Sequence, residues 1–274
     1  MQAANAGRRK MGAQGGGGAR LTCRAGAVIL PAAEHRRKRE TGMGEKTCMI
    51  IGGGRGMGAG IAREMHARGY RLALMSPSTS CEELAAELGG VAHRGRAEVL
   101  EDLHALIDLT LQSYGRIDAV LIHVGSPPKG DLLDIPLAEW DRGHALVLRP
   151  VIETVQRVVP VMEKQGGGSI VVITSYSALE PSLLFPTSSV YRVGVSAFSK
   201  LVSDRYGKAN IRMNCLLPGF TDSLDVGKHA DKAALGRIAR VEEQAKAAAF
   251  LLTDDSSYVT GQSLRVDGGA TRHL

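Results

Sequence analysis

Three glycines at fixed spacing, Gly52-x-x-x-Gly56-x-Gly58, are the first residues in this chain able to do chemistry through the backbone alone. Glycine adopts conformations closed to other residues and leaves no side chain in the way of a bound group. Turned sharply, such a stretch brings bare N–H groups against a phosphate. A helix that follows adds free N–H groups and a positive dipole end. Glycine runs also occur in plain linkers, and Gly15 to Gly18 is such a run. Context separates the two cases. Cys48-Met49-Ile50-Ile51 reads as a buried strand, and Ile61 and Met65 keep a helical period beyond the glycines. Strand, glycine turn and helix in register predict a nucleotide site.

The elements needed to position that turn can be read along the chain. Strands are predicted at 47–52, 70–75, 91–95, 118–124, 169–175, 210–216 and 262–267. Helices are predicted at 57–68, from Ser80, at 100–114, as one long element at 137–164, from Pro186 to Tyr206 and at about 241–252. Ser80-Cys81-Glu82-Glu83 has capping-box spacing, and Gly115 and Gly166 stand where helices should stop. Continuous apolar strands, each followed by a helix, mean a parallel sheet covered on both faces. The expected fold class is α/β, a Rossmann-type doubly wound sheet of about seven strands in a single domain, with its ligand at the carboxyl ends of the strands.

Length and composition agree with one α/β domain: 274 residues, 44% hydrophobic and 4% aromatic. The net charge of +6 is unevenly placed. Residues 1–46 hold ten Lys/Arg against three Asp/Glu, and the rest holds 24 against 25. The basicity therefore belongs to an extension rich in Gly and Arg, expected to be disordered, with translation expected to begin at Met43. A targeting segment is the alternative for 1–46. A nucleic-acid partner would rest on that extension alone, which lacks aromatics, so none is expected. The four cysteines show no paired or metal-binding spacing, and no metal is expected. No apolar run reaches the 18 or so residues of a membrane span, so a cytoplasmic protein is expected.

From about 46 to 271 the chain resembles the short-chain dehydrogenase/reductase family. The resemblance rests on the glycine motif, Gly115-Arg116-Ile117-Asp118, Gly125, Ile173-Thr174-Ser175, Pro218-Gly219, and Val259-Thr260-Gly261-Gln262 with Val266-Asp267-Gly268-Gly269. It implies a nicotinamide cofactor lying across Gly52, Gly54, Arg55, Gly56, Met57 and Gly58 and passing Ser76 and Gly125. The nicotinamide end would approach Pro218, Gly219 and Thr221, with Ser223 where relatives often have threonine. Relatives that prefer NAD carry an acid at the end of the second strand, where this chain has Ser76 and no acid before Glu82. Arg55 matches a basic residue that NADP-dependent relatives set against the 2′-phosphate, and guanidinium suits a phosphate dianion. NADP(H) is therefore expected over NAD(H). The alternatives are a solvated loop charge for Arg55 and helix capping for Ser76 and Ser78.

The resemblance also implies a serine, a tyrosine, a lysine four residues beyond it and an asparagine in the long helix. Ser175 fills the serine position, thirteen residues before Ser188, which falls at the tyrosine position. Arg192 then takes the lysine position, where the resemblance implies that it holds the cofactor ribose, and Val147 takes the asparagine position; no register gives Tyr-x-x-x-Lys. A serine hydroxyl is a far weaker acid than phenol, and guanidinium holds its proton. Ser188, Tyr191 and Arg192 are i, i+3 and i+4, so they share one helical strip. Tyr191 is thus a candidate acid with Arg192 lowering its pKa; the alternative is a packed or subunit-interface aromatic. His123, near the end of its strand, is expected to be a satisfied structural histidine. The resemblance implies an oxidoreductase moving a hydride between NADP(H) and a carbonyl or alcohol, with 3-oxoacyl-type ketones expected from the family alone. Ser175, Ser188, Tyr191 and Arg192 are its candidate catalytic set. The rival is an inactive cofactor-binding sensor or scaffold. The resemblance further implies a homodimer or homotetramer paired through the 137–164 and 186–206 helices.

Overall fold

A computed structural model describes residues 45–223 and 231–272, together with the backbone of Ala27–Val28. Its strands are β1 (Ala27–Val28), β2 (Thr47–Ile51), β3 (Arg71–Ser76), β4 (Val91–Arg94), β5 (Ala119–Ile122), β6 (Gly168–Ile173), β7 (Ile211–Pro218) and β8 (Ser263–Val266). Its helices are α1 (Gly56–Ala67), α2 (Ser80–Leu88), α3 (Leu100–Tyr114), α4 (Leu137–Val147), α5 (Arg149–Gln165), α6 (Pro186–Tyr206) and α7 (Val241–Leu252). The sheet order is β1-β4-β3-β2-β5-β6-β7-β8. Seven strands run parallel, and β1 pairs antiparallel with β4 at the edge. The rest of the extension expected to be disordered, 1–26 and 29–44, lies outside the described residues.

Alternation along each strand sends side chains to opposite faces of the sheet. Cys48, Ile50, Leu72, Leu74 and Leu121 pack under α1, α2 and α7. Met49, Ile51, Met75, Val120 and Val172 pack with α3, α5 and α6. Both faces are buried, which is why the strands read as unbroken apolar runs. Each fully buried Ile or Leu here contributes about 1.5–3 kcal/mol. Cys48 and Cys215 are buried and free. Burial raises both thiols, that of Cys215 to about 11, so they fill space and do not react.

The chain order reverses between β2 and β5, opening a crevice at their carboxyl ends. Asp118 fixes the opposite end, accepting from the Thr47 N–H at 2.8 Å and pairing with Arg116. Gly115 and Gly166 take left-handed conformations and end α3 and α5 as predicted.

Three local expectations are corrected. The expected long helix is two, α4 and α5, joined at Leu148. Pro150 has no N–H for the carbonyl four residues back, and its ring crowds that carbonyl. Ser80 does not cap α2: Thr79 stands at the cap without a capping bond, its hydroxyl instead 3.0 Å from Glu83. Ser175 does not end a strand, since β6 stops at Ile173 and Ser175 caps a short 3₁₀ turn, Tyr176–Ala178.

Candidate active site

The glycine turn is built by close approach. Gly52 has φ of +82°, and a Cβ there would strike the His123 carbonyl; a Cβ at Gly58 would strike the Gly52 carbonyl. Gly58 is thus buried beneath the turn, and Gly52, Gly54, Arg55, Gly56 and Met57 face the crevice. Two cavities of about 680 and 570 Å³ share Arg55, His123, Val124 and Gly125 and form one cleft.

The larger half is lined by Ser76, Ser78 and Ser80 beside Arg55. Ser76 ends β3 and donates to the Ser78 carbonyl, while Ser78 and Ser80 share a hydroxyl bond of 2.7 Å. Neither Ser76 nor Ser78 caps α2. The one carboxylate on this wall, Glu98, is held by Arg96 at 2.8 Å. Arg55 makes no ion pair among the described residues. A nicotinamide dinucleotide fits these residues: a bare glycine turn opens at the start of α1, and a cation and hydroxyls line the cleft beside it.

The smaller half gathers Ser175, Ser188 and Arg192 with Pro218, Gly219 and Thr221. Arg192 is buried and donates three times: to Ser188 Oγ at 3.0 Å, to the Ile173 carbonyl at 2.8 Å and to the Gly125 carbonyl at 3.3 Å. Burial lowers its pKa to about 10, which still leaves it charged at neutral pH. It therefore ties α6 to β6 and to the loop after β5, and two of its five N–H groups remain. Ser175 Oγ accepts from the Ser177 N–H and hydroxyl, at 3.2 and 3.1 Å. Ser175 and Ser188 both accept from protein donors, so each has its own proton free for the cleft.

Tyr191 does not join them. Its hydroxyl donates to the Trp140 carbonyl at 2.8 Å, and its ring packs edge-on to Trp140 over Gly143. The shared helical strip is real, but α4 offers a gap at Gly143 that takes the ring away from the cleft. Its pKa is raised by burial and then by Asp141, the reverse of the lowering expected from Arg192. Val147, at the expected asparagine position, is buried in the apolar core.

His123 is also corrected. Its N–H donates to Ile51, but its side-chain Nδ1 is buried without a partner. Burial, and then the charge of Arg192, lowers the imidazole to about 4. The histidine lines both halves of the cleft as a neutral ring with an open nitrogen. Tyr176, Phe185, Phe220 and Lys129 line the smaller half and were missed from sequence. The signals available were the adjacency of Tyr176 to Ser175 and the stiff Pro127-Pro128 before Lys129.

Fold and cleft define a doubly wound α/β domain with its cleft at the switch point between β2 and β5. Residues 52–271 match the family described as Enoyl-(Acyl carrier protein) reductase. The 3-oxoacyl-(acyl-carrier-protein) reductase FabG of Chlamydia trachomatis is 31% identical over 240 residues, covering 82% of this chain and 96% of that protein. Dehydrogenase/reductase SDR family member 4 of Homo sapiens is 27% identical over 274 residues, covering 93% and 97%. The crystal structure of YwfH, described as an NADPH-dependent reductase of bacilysin biosynthesis, superposes with a TM-score of 0.79 at 21% identity, covering 84% of this chain and all of that one. The chain belongs to the short-chain dehydrogenase/reductase family.

Proposed function

We propose that this protein is an NADP(H)-preferring oxidoreductase that moves a hydride between its cofactor and a carbonyl or alcohol, with 3-oxoacyl-type ketones among the candidate substrates. The observation that carries the reading is two serine hydroxyls, Ser175 and Ser188, with protons free for one cleft beside the buried Arg192 guanidinium. When bound, the nicotinamide supplies or accepts the hydride. Ser175 and Ser188 donate to the substrate oxygen, and Arg192 behind Ser188 offsets the charge that develops there. Guanidinium does not release a proton at neutral pH and serine is no acid. We assign the proton to water relayed through Ser188, which faces the cleft.

The preference for NADP(H) is supported by unpaired Arg55 beside Ser76, Ser78 and Ser80. A homodimer or homotetramer paired through α4, α5 and α6 is part of the proposal, with Val190, Val193 and Leu201 exposed on α6. So is a cytoplasmic location; among the described residues no helix is long and apolar enough to cross a membrane. A second reading, a cofactor-binding sensor or scaffold without turnover, is favoured by the Tyr191 hydroxyl donating to Trp140 instead of facing Arg192. Fluorescence titration with NADPH and NADH, followed by a panel of ketones, quinones and 3-oxoacyl thioesters, separates them. Tight NADPH binding with oxidation supports the enzyme, and tight binding with none supports the sensor. Binding of neither cofactor overturns both.

A further inference from the structure

Among the residues that line the smaller half of the cleft there is no carboxylate. Its cations differ in what they already hold. Arg192 is tied to three protein acceptors, whereas Lys129 has none among the described residues. The loop bearing Lys129 is stiffened by Pro127-Pro128, and the buried Thr187 hydroxyl donates to the Pro128 carbonyl. Lys129 Nζ lies 5.0 Å from the ring centroid of Phe185, which itself lines the cleft.

Lys232 repeats the arrangement on a second ring. Its Nζ lies 5.7 Å from the centroid of Phe220, another lining residue, and Phe220 packs on Tyr176 with centroids 6.0 Å apart. Both lysines are exposed, and neither makes an ion pair among the described residues; Asp131, Asp134 and Asp231, their neighbours in the chain, leave them unpaired. An ammonium over a ring face is oriented by that ring yet keeps N–H donors for a further partner. Two cations so placed, each on an aromatic ledge, suit a ligand with an anionic group beside an apolar body.

We propose that the hydride acceptor is anionic: a ketone carrying a carboxylate or phosphate, with Lys129 and Lys232 on the anion and Phe185, Phe220 and Tyr176 on the apolar body. This rests on the reading that the cleft takes a carbonyl substrate. The test is calorimetry on the full chain, with and without NADPH. The probes are 4-oxo-4-phenylbutanoate against its methyl ester, and phenacyl phosphate against its dimethyl ester. At least one anion should bind about tenfold more tightly than its own ester. The double variant Lys129→Met, Lys232→Met should reduce that preference to about twofold, with ester and NADPH affinities unchanged. Whichever pair shows the preference identifies the anion. Esters matching both anions, no binding by any probe, or a preference intact in the double variant would each overturn the proposal. Loss of NADPH binding alone would instead overturn the hydride-transfer reading, because anion preference is also read without cofactor.

Discussion

Arg192 Nε donates to Ser188 Oγ at 3.0 Å, one helical turn apart on α6. Guanidinium can only donate, so the bond leaves the serine proton without a place at Arg192 and free for the cleft. The pair does part of what a phenol and a lysine would do at these positions. It presents a polarised donor backed by a fixed positive charge, and it supplies no acid.

Removing either donor should therefore slow the hydride step more than it weakens binding. Ser175→Ala and Ser188→Ala are each expected to lower kcat about 100-fold. NADPH affinity should stay within about twofold, since the cofactor is proposed to rest chiefly on the glycine turn and Arg55. Ser188→Ala also leaves the buried Arg192 Nε without its acceptor and should cost about 1–3 kcal/mol of stability. Steady-state kinetics, cofactor fluorescence and urea unfolding read these separately. Unchanged kcat in both variants would remove the serines from the mechanism.

Tyr191 gives the opposite expectation. Its hydroxyl serves Trp140 on α4, so Tyr191→Phe should keep kcat within about twofold and cost about 1 kcal/mol, the worth of one hydrogen bond. A large fall in kcat with unchanged stability would return the phenol to the cleft.

Helical spacing put Ser188, Tyr191 and Arg192 on one strip correctly, but spacing does not say which neighbour a strip meets. The gap at Gly143 and the Trp140 carbonyl decide where Tyr191 goes, and both lie about fifty residues earlier in the chain. His123 shows the same limit: its open Nδ1 depends on what covers the end of β5. The fold was more legible because its signals are local. Apolar runs mark β2, β5 and β6, Gly115 and Gly166 end helices, and the glycine turn sits between β2 and α1. The break at Leu148 was legible too, in Pro150, and was missed because the apolar period continues through it.

Arg55 is the residue on which cofactor choice should turn. It is exposed beside Ser76 and unpaired among the described residues. Arg55→Gln is expected to weaken NADPH binding about tenfold and leave NADH almost unchanged, because only NADPH carries the extra dianion. Fluorescence titration of both cofactors checks this. Equal losses for the two would assign Arg55 to the shared pyrophosphate, and no loss for either would leave it a solvated charge.

His123 sets an acid limit on the fold. Burial, then Arg192, lowers its pKa from 6.5 to about 4. Between those values the unfolded chain binds a proton that the folded chain refuses, so stability falls as pH drops through the window. The contribution is fully present above the unfolded pKa. Glutamine cannot take up that proton, so His123→Gln should lose less melting temperature than the wild type between pH 7 and pH 4.5, with carboxylates contributing equally to both. The curves should run parallel above pH 7, where the imidazole is neutral in both states. Thermal melts across that range check the expectation. Parallel curves throughout would mean that His123 is protonated as readily folded as unfolded, and its nitrogen would then have to be solvated.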